Sequence, residues 1–367
     1  MSFGKTIRRL RRERDMTQDE LAEILSISPQ AVSRWETDAA MPDISLIAPL
    51  CNLFHVTADS LLEIDISRQQ EEIWEICSEA SKYDSRGYYS ESRQILEEGM
   101  HRYPDSLDLA ESLMFVSYWQ HRASPTEQSY LDEAIRLGEK ILEKSTNNYT
   151  RHSAIKVLCS SYSDAGETNK AIRLAYTMPL MSISQESLLA AIQKGDDGYR
   201  AKQCEMYTLL QILSNELANI QMTLDSGEKA YTEEECAVLR DKQIALLNLF
   251  YENGDFSFYH THLCEAHREQ AAYYARIGNS EQTLSHLEKA AEHAIKFIIY
   301  SEKGEESTSL VFRGMLPCIW SADETDNDAA KVLNLMESSD FDFVRETESF
   351  GKIKARLSEH AGKWEVK

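Results

Sequence analysis

Gln30 and Arg34 lie four residues apart, and both side chains can read a base edge. An arginine fork matches the two acceptors of guanine, and a side-chain amide matches the edge of adenine. At about 100° per residue, Gln30, Ser33, Arg34 and Thr37 share one helical face, while Ala31, Val32 and Trp35 share the opposite one. Plain solvation would also suit such a polar face, so the neighbouring sequence decides. Between Phe3 and Arg14, Lys5, Arg8, Arg9 and Arg12 gather on one arc. Phe3, Ile7, Leu10 and the stem of Arg14 fall on another, with Arg11 at its border. A cationic arc is suited to phosphate, and binding through it would weaken as salt rises.

Two other sets could do chemistry. His260, Cys264 and His267 stand at i, i+4 and i+7, and nitrogen and sulfur ligands suit zinc. No second group of ligands is near in sequence, so we read them as packing residues and expect no metal and no cofactor. Gln211, Asn215 and Asn219 recur every four residues beside an apolar stripe of Leu209, Leu210, Ile212, Leu213, Leu217 and Ile220. Amides both donate and accept, so this row suits either an extended peptide backbone or simple solvation. No nucleophile elbow, phosphate loop, HExxH motif or dinucleotide fingerprint occurs, and no enzyme is expected.

The elements that would hold Gln30 and Arg34 are marked locally. Thr17 with Glu20 is a capping box that starts a helix, with Leu21, Ala22, Ile24 and Leu25 on its apolar side. That helix ends near Leu25–Ile27. Ser28 is a favoured cap and Pro29 a favoured first helical residue for the next helix. Two short helices joined by a turn this tight make a helix-turn-helix. Asp43 is expected to cap a helix through Phe54 bearing Ile44, Ile47, Leu50 and Leu53, and Thr57 a last turn ending at Leu61 and Leu62.

Residues 3–62 resemble the Cro and phage-repressor (XRE) type of helix-turn-helix domain. The matching residues are Ile7, Leu10, Arg11, Thr17, Gln18, Leu21, Ala22, Ser28, Val32, Ser33, Trp35, Glu36, Pro42 and the closing FHVTADSLL. The resemblance implies a five-helix fold whose third helix enters the major groove of double-stranded operator DNA. It implies that Gln18 contacts phosphate and that Arg11 and Glu36 form an ion pair tying the first helix to the third. The implied DNA-contacting set is Lys5, Arg8, Arg9, Arg12, Gln18, Ser28, Pro29, Gln30, Ser33, Arg34 and Thr37. Three departures stand out. Asp38 replaces the usual glycine after the W-E-x triplet, Ala39-Ala40-Met41 lacks basic residues, and Pro29 stands where some members place a glutamine. Fewer contacts per domain then favour a homodimer on two half-sites.

The whole chain of 367 residues carries a formal charge of −22, of which residues 1–65 hold −4 and the remainder −18. Residues 1–14 nevertheless hold six basic side chains and one acidic. A chain this acidic repels non-specific nucleic acid, leaving contact to that small patch. Seven scattered cysteines without a CxxC pair, no signal-like apolar run and no membrane-length segment predict a cytoplasmic protein with reduced thiols and no membrane partner.

Few glycines and prolines and long Leu/Ala/Glu/Lys-rich stretches predict an all-α fold. Beyond residue 66, where Ser67 and Gln70 read as a further capping box, one phrase recurs at Gly87, Gly166 and Gly278. Each glycine follows a tyrosine by four (Tyr83, Tyr162, Tyr274) and precedes a small or short residue by five (Ser92, Ala171, Thr283). LDEAIRLGEKIL, from Leu131, is a fainter copy. Gly87, Ser92, Leu96, Gly99 and Pro104 resemble the tetratricopeptide pattern, which implies an α-solenoid over residues 66–325. Residues 326–367 read as capping helices or a dimer surface. The layout resembles the peptide-pheromone-responsive regulators of Gram-positive bacteria and so implies a short peptide effector for the repeats. A DNA-localised scaffold whose repeats dock a protein partner is the alternative.

Overall fold

The computed structural model describes residues 3–62, 66–220, 223–224, 226–304, 306–316 and 325–365. Among the described residues every regular element is a helix, so the chain is all-α. None of these helices is long and apolar enough to cross a membrane.

The N-terminal body contains α1 (Phe3–Arg12), α2 (Gln18–Ile24), α3 (Pro29–Glu36), α4 (Ile47–Phe54) and α5 (Ala58–Leu62). Ile7, Leu21, Val32, Leu50 and Leu61 are fully buried at its centre, with Phe3, Leu10, Trp35 and Phe54 packed around them. Both halves of the Thr17–Glu20 capping box form at the start of α2. Ser26 takes a left-handed turn, and the Ser28 hydroxyl then accepts the Ala31 N–H at 3.3 Å to open α3. Thr57 caps the last helix through the N–H of Ser60 at 3.2 Å.

Two expectations fail in detail. Asp43 does cap, but it takes the N–H of Ser45 at 2.9 Å and opens a single 3-10 turn, Ile44–Leu46, ahead of α4. The α-helix itself begins only at Ile47, after that turn, and Ile44 is left 87% exposed. Ile24 is 54% exposed because the seven-residue α2 buries only Leu21, Ala22 and Leu25.

The second region opens with helices that pack in sequence: α6 (Ile66–Asp84), α7 (Tyr89–Arg102), α8 (Leu107–Ala123), α9 (Gln128–Lys144), α10 (Asn148–Asp164) and α11 (Thr168–Ala175). Helix α6 is already formed at Ile66, so Ser67 lies within it and not at its cap; the Ser67 side chain is outside the described set. Next come α12 (Gln185–Ile192), α13 (Gly195–Ala218), α14 (Glu233–Phe250), α15 (Tyr259–Arg276) and α16 (Ser280–Lys303). The chain closes with α17 (Asp328–Met336), α18 (Asp342–Arg345) and α19 (Glu348–Ser358). These last helices bury Val332, Met336, Phe341, Val344, Phe350 and Leu357 against Leu287 and Ala290 of α16.

The recurring phrase is one turn used three times. Gly87, Gly166 and Gly278 have φ of 77°, 78° and 74°, a region that costs a side-chain-bearing residue strain. In each copy the N–H one residue past the glycine bonds back to the carbonyl of the tyrosine four before it, at 3.0, 2.7 and 2.9 Å. That six-residue closure is the Schellman ending of a helix. The small residue five positions on (Ser92, Ala171 or Thr283) is buried each time, which lets the two helices of the hairpin approach.

Candidate nucleic-acid interface

Helices α1, α2 and α3 meet at a buried ion pair. Arg11 Nε and Nη2 donate to the two oxygens of Glu36 at 2.5 and 2.9 Å, and Nη1 donates to the Met16 carbonyl at 2.5 Å. Gln18, the first residue of α2, adds a third donor to Glu36 at 2.8 Å. Burial pushes the Glu36 carboxyl up, but the hydrogen bonds from Arg11 and Gln18 outweigh it and hold it below its ordinary value. The same bond to Glu36 raises Arg11. Removing either partner of such a pair leaves a buried charge alone, so α3 is fixed in orientation with respect to the cationic helix.

A second contact holds the turn just beyond the same, C-terminal end of α3. Asp38 sits at φ 56°, where glycine is usual, and its Oδ1 accepts the N–H of Gly4 at 2.8 Å. The aspartate thereby caps α1 and sets a negative charge at its N-terminus. It does so only because Gly4 has no side chain: a Cβ there would lie 2.2 Å from the carbonyl oxygen of Trp35. The departure from glycine at position 38 is therefore compensated by a glycine at position 4, a link that sequence reading missed.

With Val32, Trp35 and Glu36 buried, α3 turns Gln30 and Arg34 to solvent, and neither side chain is engaged by another described residue. Ser33 is half-buried beside them. Thr37 is exposed, but its hydroxyl donates to the Ser33 carbonyl at 2.9 Å, leaving it only acceptor capacity. Ser28 and Pro29 serve as cap and first helical residue of α3 and are themselves exposed. Lys5, Arg8, Arg9 and Arg12 are all exposed and line one shallow depression with Glu13. Arg9 pairs with Glu13 at 2.8 Å, an exposed contact of little energetic weight.

Residues 7–61 match the family profile described as Helix-turn-helix. The N-terminal body is a helix-turn-helix domain of the XRE type. The chain is 36% identical over 62 residues to the HTH-type transcriptional activator BcrR of Enterococcus faecalis, covering 17% of this chain and 30% of that protein. It is 38% identical over 72 residues to the HTH-type transcriptional regulator ImmR of Bacillus subtilis, covering 19% of this chain and 57% of that one. The chain thus spans between about a third and somewhat over half of these relatives' lengths. Among solved structures, Bacillus thuringiensis PlcR in complex with the peptide PapR7 and DNA aligns over 82% of this chain and 98% of that one, at 14% identity and a TM-score of 0.33.

Outside the helix-turn-helix domain, the amide row on α13 is partly spent on its own surroundings. Helix α13 ends at Ala218 and not at Ile220, so Asn219 is its C-cap and donates to the Asn215 carbonyl at 2.9 Å. The Asn215 amide oxygen meets His262 Nε2 at 3.0 Å, while Gln211 is half-buried. The expected apolar stripe buries Leu210, but Leu209, Ile212 and Leu213 are exposed.

His260 and His267 have partners that the i, i+4, i+7 spacing did not reveal. His260 Nδ1 meets His293 Nδ1 at 2.8 Å, and His267 Nδ1 meets His286 Nδ1 at 2.9 Å. His267 and His293 stack at 5.8 Å, so four histidines line the seam between α15 and α16. Burial lowers His260 and His267 to about 3 and His293 to about 4. With both rings neutral, one Nδ1 of each pair carries the proton and donates while the other accepts. Cys264 packs instead with Ala329 and Val332, and burial pushes its thiol up. Among the described residues no group of three or more His, Cys, Asp or Glu is placed to hold a metal ion. Six cysteines are free thiols, and Cys318 lies outside the described residues.

Proposed function

We propose that this chain is a sequence-specific DNA-binding transcriptional regulator that acts as a homodimer, with α3 in the major groove and the helical repeats receiving an effector, a short peptide. The observation that carries the DNA reading is the pairing on α3 of exposed, unengaged Gln30 and Arg34 with a buried, hydrogen-bonded anchor at Glu36. A reading face needs both: donors free to meet bases and a helix held firmly enough to present them. The exposed cations of α1 supply the phosphate contacts that position without specifying sequence.

A handful of such contacts gives weak, salt-sensitive binding for one domain. Two domains on adjacent half-sites offset that weakness, which supports dimerisation. The effector reading is supported by the exposed Tyr176, Leu180, Ile183, Leu188 and Ile192 around α11 and α12, an apolar surface on a strongly acidic chain. An effector shifts operator affinity only if it binds one arrangement of the dimer more tightly than another.

Selection of the full chain against a randomised duplex pool tests the reading. The expected outcome is a pseudo-palindromic site. Arg34→Ala then relaxes discrimination at one position by about 1–3 kcal/mol. Arg8→Ala weakens all sequences alike and flattens the salt dependence. No enrichment over random competitor would reject the proposal, and an unchanged preference in Arg34→Ala would reject this face. Titration of candidate peptides against operator affinity tests the effector: an unmoved affinity removes it.

A further inference from the structure

The two ends of the helical region touch. The hydroxyl of Tyr88, in the turn after α6, donates to the carbonyl of Trp364 at 2.9 Å across 276 positions of sequence. Arg86, in the same turn, places its guanidinium 5.1 Å from the centre of the Trp364 ring. The tail that carries Trp364 is held in place: its N–H bonds to the Thr325 carbonyl at 2.7 Å, and its ring packs edge-on against Phe297 at 5.5 Å. Asn327 fixes the preceding loop through the carbonyls of His360 and Gly362, both at 2.8 Å.

Between turn and tail lies a cavity of about 300 Å³, with Arg86, Trp364, Asn327, Glu359 and Glu365 among its walls. Its donors are under-used. Arg86 is half-buried, makes no ion pair or hydrogen bond with a described residue, and is pushed below its ordinary value by burial. Glu359 and Glu365 line the same cavity without reaching it. The indole N–H of Trp364 is buried and has no acceptor among the described residues. A desolvated guanidinium without a counter-charge is unfavourable even over an aromatic face, and an anion that supplies two oxygens would relieve it. In a chain with 61 acidic and 39 basic side chains, a half-buried arginine without a carboxylate among the described residues is a candidate for one supplied by a ligand.

We propose that this cavity binds the α-carboxylate of a small ligand, an amino acid or the last residue of a short peptide, against Arg86. The volume suits one residue. Glu359 and Glu365 line the cavity together with Lys363, so its walls carry both signs of charge and suit a zwitterion. Such a ligand bridges the first hairpin and the last residues of the same region, and it stabilises the closed arrangement in which these ends meet. The proposal rests on reading the repeats as an effector-binding body and names a site for it.

The test uses the full chain and three probes: a mixture of the twenty amino acids, a random tripeptide mixture, and the same tripeptides as C-terminal amides. Thermal unfolding and Trp fluorescence report binding. Stabilisation by the amino acids identifies a free amino acid as the source, and stabilisation by the tripeptide acids alone identifies a peptide end. The amides are inert in both cases. Arg86→Gln abolishes the effect, and Arg86→Lys, which keeps the charge but loses the fork, weakens it about tenfold; far-UV circular dichroism confirms that both variants fold. No stabilisation by either acid mixture overturns the proposal, as does equal stabilisation by the amides or an effect retained in Arg86→Gln. Should a peptide change operator affinity equally in wild type and Arg86→Gln, the effector reading stands and this site falls.

Discussion

The helix-turn-helix domain and the α15–α16 hairpin both bury titratable side chains, and they do so in opposite charge states. In the domain, Arg11 and Glu36 are buried as ions, each satisfied by the other. In the hairpin, His260, His267 and His286 are buried and His293 is half-buried; they meet in pairs, and burial lowers all four and so favours neutral rings. The ion pair holds its geometry as long as the carboxylate stays ionised, and the hydrogen bonds of Arg11 and Gln18 favour that state. Asp241 and Glu292 act favourably on the charged forms of His286 and His293, but burial outweighs them, and no carboxylate is hydrogen-bonded to the seam among the described residues. The first device should resist acid and the second should open in it.

A pH titration of stability should separate them most strongly. A histidine whose folded value is depressed to about 3 keeps its full contribution above its unfolded value near 6.5 and loses it as pH falls below that. At pH 5 the loss is on the order of 2 kcal/mol for each such histidine. Glu36, also depressed, loses its contribution only as pH falls below the ordinary carboxylate range. Thermal melts between pH 7 and 4.5 should therefore show the repeats softening while the domain holds; simultaneous loss would break the contrast.

Next in size is Glu36→Ala. It strands a buried guanidinium and should cost about 3–5 kcal/mol in the domain alone. Urea unfolding followed by Trp35 fluorescence, in a chain whose other four tryptophans are replaced by Phe, measures it, with far-UV circular dichroism of the repeats as an internal control. A cost below about 1 kcal/mol would mean that the pair is solvated.

The smallest effects contrast two glycines. Gly166→Ala meets nothing within 4 Å and should cost only the backbone strain of its left-handed turn, about 1 kcal/mol. Gly4→Ala has ordinary backbone angles but drives a methyl group into the Trp35 carbonyl, and it should cost more. Differential melts of the two variants decide; the reverse order would show that α1 can slide away from α3.

The sequence was most informative where a bond is local. The caps at Thr17, Ser28 and Thr57 act within three residues, so residue type and spacing alone disclose them. The three glycine turns were legible for the same reason. Burial was harder to read: Ile24 and Ile44 fit the apolar pattern yet face solvent, because short helices have more apolar positions than the core has room for. Contacts across many residues were invisible. Asp38 and Gly4 are 34 apart, and His260 and His293 are 33 apart on different helices. Arg11 and Glu36 became legible only through resemblance to a known domain, which supplies the long-range pairing that spacing cannot.

The Asp38 cap on Gly4 limits how this molecule can be switched. Because Arg11 and Gly4 hold Glu36 and Asp38 at the C-terminal end of α3, while Val32 and Trp35 are buried along its length, a swivel of α3 within its own domain would break a charge pair and a cap at once. Under the proposed function, a message from the repeats would then reposition the whole reading head, like a stamp moved on its handle, and leave the engraved face unaltered.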